Sequence, residues 1–210
     1  MANAAHLRAV RLMWFSLFRI LKAQSSVLIN MNWLLIEKLV GSGFLILTSI
    51  VVARTLGPSD FGVIASSLSL VALFAVAGNF GLSGLVVREL VRSPDAYPKI
   101  LGSTLVLKGA GYLIASLMVV GYSLIFLPSP LVAIILASSL LLRPTEIIDY
   151  LFQANRSFRD LAIVRIGAQL VSGVLRILAA LHLRDPIAVA VAIVVQDFIV
   201  AVLYLVMLRA

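Results

Sequence analysis

The sequence predicts an all-α membrane protein of six crossing helices, preceded by a short basic amphipathic helix. Three observations lead there. The 210-residue chain is 62% hydrophobic and only 12% charged, with a mean hydropathy of +1.12, whereas ordinary soluble domains carry roughly 25% charged residues. The apolar residues are gathered into six segments, most of them matching the ~20 residues a helix needs to cross the hydrocarbon core. The arginines and lysines concentrate beside alternate breaks between those segments, as the positive-inside rule requires. Residues 1–26 read as a basic N-terminal segment and residues 27–210 as one transmembrane bundle.

Composition also excludes. There is no cysteine, so disulfides, thiol chemistry and cysteine-ligated metals are ruled out. The net charge of +8 would point to nucleic acid in a soluble chain. Here the basic residues flank apolar segments, so topology and anionic lipid explain them and no nucleic-acid partner is expected. His6 and His182 stand alone, without metal-ligand spacing or a nucleophile–base pair. Neither an enzyme, a metal site nor a cofactor is expected.

Residues 6–22, "HLRAVRLMWFSLFRILK", put Arg8, Arg11, Arg19 and Lys22 on one helical stripe. Two readings stand: an interfacial helix on an anionic leaflet, or a flexible basic leader that only sets topology. A secretory signal is not expected, because arginine interrupts the apolar run and no small-residue cleavage site follows.

The six apolar segments run over about 27–53, 61–84, 100–127, 130–152, 160–182 and 186–208. The breaks carry turn chemistry: "ARTLGPSDFG", "RSPDAYPK", "LPSP", "QANRSFRD" and "LRDP". Gly57-Pro58 ends the first segment, with Ser59 or Asp60 available to cap the next. "VVRELVRSPDAYPK" is the longest polar break. One side collects Arg8, Arg11, Arg19, Lys22, Arg88, Arg92, Lys99, Arg156, Arg159 and Arg209, while the other has Arg54 and Arg184. Both termini are therefore expected in the cytoplasm, and an even number of crossings agrees.

The informative residues are the charges inside the apolar segments. Each costs roughly 2.5–3.5 kcal/mol at the bilayer centre on insertion scales. The first segment carries Glu37 and Lys38, about 100° apart on a helix, so separate partners are expected, with Lys108 or Arg143 for Glu37. The third carries Lys108. The fourth, "SSLLLRPTEIIDYLFQ", places Ser139, Arg143, Glu146, Asp149, Tyr150 and Gln153 on one arc, with Arg143 and Glu146 spaced to pair and Pro144 beside them. The fifth holds Arg165, Gln169, Ser172 and Arg176 on a stripe, with Arg165 placed to snorkel to the interface. Asp197 sits mid-way along the sixth.

Lys108, Glu37, Lys38, Arg143 and Glu146 fall at similar depth, which predicts a water-filled cationic chamber; the competing reading is interhelical ion pairing. Gly41, Gly43, Gly62, Ser66, Ser69, Gly102 and Gly109 read as points of close helix approach. "GNFGLSG" at 78–84 reads first as packing, and otherwise as an unwound helix end.

"VVARTLGPSDFGVIASSLSLVALFAVAGNFGLSGLVVREL" and "DYLFQANRSFRDLAIVRIGAQLVSGVLRILAAL" resemble the bacterial oligosaccharide flippases, the polysaccharide repeat-unit (O-antigen type) exporters of the multidrug/oligosaccharidyl-lipid/polysaccharide superfamily. The resemblance covers most of residues 27–208. It implies one lobe of a two-lobed, alternating-access transporter of the bacterial inner membrane, acting in surface polysaccharide biosynthesis. The implied substrate is a polyprenyl-pyrophosphate-linked oligosaccharide. Membrane lipids, a C-terminal lobe or second copy, and polysaccharide polymerase machinery are the implied partners. The family has twelve or more helices and this chain six, so an N-terminal lobe is expected. On this resemblance Lys108, Arg143, Arg165, Gln169 and Arg176 would bind substrate, and Glu37, Glu146, Asp149 and Asp197 would balance charge or couple an ion. A drug or cation exporter of the same superfamily and a non-transporting scaffold are the alternatives.

Overall fold

The structure, a computed structural model, describes residues 2–93, 96–154 and 158–209, with side chains for 32–93, 96–153 and 158–208. The basic stripe of residues 6–22, Arg156 and Arg209 lie outside the described side chains. The elements are α1 (Ala2–Asn79), α2 (Leu82–Arg92), α3 (Tyr97–Phe126), α4 (Pro130–Ser138), a 3-10 segment (Ser139–Glu146), α5 (Ile147–Ala154), α6 (Phe158–His182) and α7 (Pro186–Arg209).

Gly57 is the first decision the chain makes. Its φ of 82° and ψ of 173° break α1, in a region of backbone space open essentially to glycine alone. Pro58 follows, where its missing N–H and fixed φ suit the start of a new helix. The break turns the chain back on itself. Leu45 and Leu68, Thr48 and Ala65, Ser49 and Ile64, and Val52 and Phe61 line one cavity of about 90 Å³. Each pair is symmetric about the Leu56–Gly57 bond, as only an antiparallel hairpin allows. α1 therefore contributes two apolar arms. Among the described residues, five helical stretches are long and apolar enough to cross a membrane, the first holding both arms: Asn32–Arg92, Tyr97–Phe126, Pro130–Gln153, Phe158–His182 and Pro186–Leu208. The protein is an all-α membrane protein.

The other breaks follow their turn residues. Phe80 and Gly81 both have positive φ, 50° and 65°, so the "GNFGLSG" stretch does unwind. Beyond it, Leu82–Arg92 is not an irregular polar break but the short amphipathic helix α2, with Val86 and Leu90 buried. Asp185 caps α7, its Oδ1 accepting the Ile187 N–H at 2.9 Å, with Pro186 in the first turn. Pro144 interrupts the fourth crossing, and the chain runs as 3-10 helix from Ser139 to Glu146. A proline has no N–H to donate and its ring crowds the i−4 carbonyl, so regular α-helix is disturbed at this point.

Among the described residues the bundle has two apolar cores. One packs Val52, Ile64, Val71, Val119, Leu136 and Val189. The other packs Val86, Leu90, Ile147, Ile148, Leu161 and Tyr204. The second marks the end where Arg88, Arg92, Lys99 and Arg159 collect, and the first marks the end near Arg54 and Arg184. Most of the large apolar side chains elsewhere, such as Leu39, Leu73, Val76, Val106 and Ile125, are exposed, as a lipid-facing surface requires.

Close helix approach is real at Gly41, one of the expected positions, and otherwise falls at different glycines. Nothing lies within 4 Å of where a Cβ would sit at Gly43, Gly62, Gly102 or Gly109. Ser66 and Ser69 are exposed and bond carbonyls of their own helix. The tight crossings are Gly41 against Gln169, Gly78 against Gly111 and Tyr112, and Gly173 against Phe44.

Candidate functional site: the charges within the bundle

Arg165 in α6 is the most heavily bonded cation among the described residues. Its Nε donates to the Tyr204 hydroxyl at 3.0 Å, its Nη1 to Glu37 Oε2 at 3.5 Å, and its Nη2 to Asp149 Oδ2. One guanidinium thus joins the first arm of α1 to α5, α6 and α7. Its planar fork lets three acceptors be met at once. Glu37 is buried here, so its partner is Arg165 and not Lys108 or Arg143. Arg165 does not snorkel outward. Lys38 is 72% exposed at its side chain, yet its Nζ lies 3.7 Å from Glu37 Oε1, so the neighbouring charges do meet.

Lys108 anchors a second cluster. It is fully buried in α3. Its ammonium donates to the Tyr150 hydroxyl at 2.5 Å, lies 3.6 Å from Glu146 Oε2, and faces the rings of Tyr150 and Tyr112 at 4.5 and 5.7 Å. The ring faces supply cation–π attraction in place of water. Glu146 is shared: its other oxygen accepts from Arg143 Nη1 at 3.0 Å, with the two side chains 40% and 30% exposed. The Arg143–Glu146 pairing expected from their spacing is present, although the helix there is 3-10.

The stripe on α6 resolves into bonds to its neighbours. Gln169 Nε2 donates to the Gly41 carbonyl at 2.6 Å, Ser172 Oγ to the Ala192 carbonyl at 2.8 Å, and Arg176 Nη2 to Gln196 Oε1 at 2.5 Å. Asp197, beside Gln196, has Arg143, Glu146 and Arg176 as charged neighbours. The single chamber expected from common depth is therefore divided. Glu37, Asp149 and Arg165 form one network, and Lys108, Arg143 and Glu146 another, with Arg176 and Asp197 beyond it.

The networks differ in how fully they are satisfied. Arg165 has an acceptor for each of its three nitrogens. Arg143 and Arg176 each keep a buried Nε with no partner, as does the Asp149 Oδ1 acceptor. Groups of this kind are uncommon in folded proteins and call for water or a ligand. Tyr112, Tyr204 and Gln196 complete these networks and were not singled out in the sequence. The available signal was a polar tip on an otherwise apolar helix face, which needs a partner when buried.

No curated protein and no solved structure matches the chain. The family described as polysaccharide biosynthesis protein matches residues 51–210, a stretch that opens on the Gly57 hairpin and contains both tight networks except for Glu37. On that match the all-α bundle with its paired intramembrane charges belongs to the polysaccharide biosynthesis protein family.

Proposed function

We propose that the protein forms one lobe of a transporter that moves a polyprenyl-pyrophosphate-linked oligosaccharide across the bacterial inner membrane, with both termini cytoplasmic. Arg143 carries the reading. It lies well inside the Pro130–Gln153 crossing and is 40% exposed at its side chain. An arginine facing hydrocarbon at that depth is costly. The cost falls away if this face borders a watered path or a second set of helices, a second lobe or a second copy of the chain. A sugar head needs such a path, because nothing in hydrocarbon replaces its hydration. A guanidinium exposed on that face suits a passing pyrophosphate.

On this reading Arg143 meets the anionic head group, Arg176 offers a further donor, and the buried Lys108 holds Glu146 in place behind Arg143. Glu146 and Asp197 balance charge. Arg165, Gln169, Glu37 and Asp149 act as a brace between helices, since their partners are already protein groups. Cationic drugs favour an acidic lumen, and the exposed pair led by Arg143 favours an anion instead. The test is leaflet reversal of a fluorescent polyprenyl-diphosphate oligosaccharide in vesicles reconstituted with the protein. Arg143→Gln is expected to lower the rate tenfold or more at equal protein incorporation. A rate equal to wild type removes Arg143 from the substrate path, and absence of reversal in wild type removes the transport reading.

A further inference from the structure

We infer a separate anion site at the basic end of the bundle, between α2 and α5, that takes the phosphate headgroup of an acidic membrane lipid. It does not depend on the transport reading, because it rests on Arg88 and Arg92 of α2 and not on Arg143. A cavity of about 780 Å³ lies there, with Ser83, Gly84, Arg88, Arg92, Tyr150 and Gln153 in its wall.

The site follows from the chain break before it. The positive φ values of Phe80 and Gly81 end α1 and redirect α2. The buried faces of Val86 and Leu90 then pack with Ile147 and Ile148. Arg88 and Arg92 are four residues apart and so share one side of α2, one helical turn from each other. Both are exposed, free to turn into the cavity. Glu89, between them, is not in the wall, and no other acid is.

The remaining polar groups are also donors. Lys108 donates into the Tyr150 oxygen at 2.5 Å, and Ser83 lies in hydrogen-bond reach of the same phenol. Ser83 thus adds a hydroxyl, and Gln153 an amide that also reaches Asp149. α2 begins at Gly81 with no side-chain cap, leaving first-turn N–H groups at Ser83 and Gly84 without helical partners. Two guanidinium groups, two hydroxyls and a helix N-terminus are the groups that recognise phosphate oxygens.

The rest of the wall, Val87 and Val91, decides between a soluble phosphate and a lipid. An apolar strip beside the arginines suits the glycerol or prenyl carbons next to a headgroup and gives nothing to a free anion. Two lipid chemistries fit, a phosphodiester and a prenyl diphosphate, and they share the phosphoryl group recognised here.

Native mass spectrometry of the detergent-purified protein tests this, with phosphatidylglycerol, phosphatidylcholine, a polyprenyl diphosphate and sodium pyrophosphate as probes. The wild type is expected to retain phosphatidylglycerol or the polyprenyl diphosphate over phosphatidylcholine, the stronger of the two identifying the lipid. The Arg88→Gln/Arg92→Gln variant is expected to lose retention by at least the order of tenfold, with each single variant losing part. Arg54→Gln/Arg184→Gln, at the opposite end, should retain lipid as wild type does. Equal retention by the Arg88/Arg92 variant, or of phosphatidylcholine, overturns the site. Pyrophosphate binding as tightly as either acidic lipid overturns the lipid assignment.

Discussion

Gly173 of α6 lies against the ring of Phe44 on the first arm of α1, so closely that a Cβ there would fall under 3.0 Å from the ring carbon Cε1. Gly173→Ala must therefore displace the ring or part the helices, at a cost of about 1–3 kcal/mol. Thermal unfolding in detergent, followed by helical circular dichroism, should show the loss. Phe44→Leu in the same background should recover most of it. An unchanged melting curve for Gly173→Ala would mean that α1 and α6 are not held at this distance.

Arg165 holds Asp149 and Glu37, both buried. Arg165→Met strands two carboxylates at once and should destabilise by roughly 3–5 kcal/mol, the usual cost of breaking a buried pair from one side. Adding Asp149→Asn should return part of that stability. If the double variant is no better than the single one, the charge pairing is not the reason Arg165 matters.

Lys108 is deeper but less critical. Glu146 keeps Arg143 when Lys108 is removed, so Lys108→Met should cost less than Arg165→Met, on the order of 1–3 kcal/mol from the unpaired Tyr150 hydroxyl. The comparison is made on melting temperatures in one detergent. Reversal of the order would place the main internal lock at Lys108.

Gly57→Ala forces an L-residue into a conformation that only glycine adopts readily, costing about 1–3 kcal/mol. The chain has no cysteine, so a Leu45→Cys/Leu68→Cys pair reports the hairpin cleanly. Its cross-linking should be efficient in the wild-type background and reduced with Gly57→Ala. Efficient cross-linking in both would show that the turn does not need glycine.

The same absence of cysteine makes orientation measurable. Ser59→Cys and Ser129→Cys should react with an impermeant maleimide in intact cells, and Ser93→Cys should not. Labelling of Ser93→Cys from outside would invert the topology.

The crossings were legible because apolar length and arginine placement are local properties of sequence. So was Arg143–Glu146, whose spacing brings the side chains together in either helical geometry. The partners of Glu37 were not. Depth along a helix can be counted, but the helix that stands opposite cannot, and Arg165 shares the depth argument with Lys108. Gly41 was read correctly, but the other glycines erred for a similar reason: Gly62 and Gly173 look alike in sequence, and only packing shows that one faces open space and the other a phenyl ring. α2 was hidden by its charges. Arg88, Glu89 and Arg92 made the stretch read as polar, although Val86 and Leu90 stand four residues apart on one buried face.

The 3-10 segment gives the fourth crossing a screw thread. A 3-10 helix turns about 120° and rises about 2.0 Å per residue, against about 100° and 1.5 Å in an α-helix. The segment spans Ser139–Glu146, so winding those residues into α geometry would rotate everything beyond them by about 160° and draw it in by about 4 Å. α5 would carry Asp149 away from Arg165 and Tyr150 away from Lys108. The two bonds act as detents on the thread: while both hold, the crossing cannot turn, and Pro144 works against the α pitch from within.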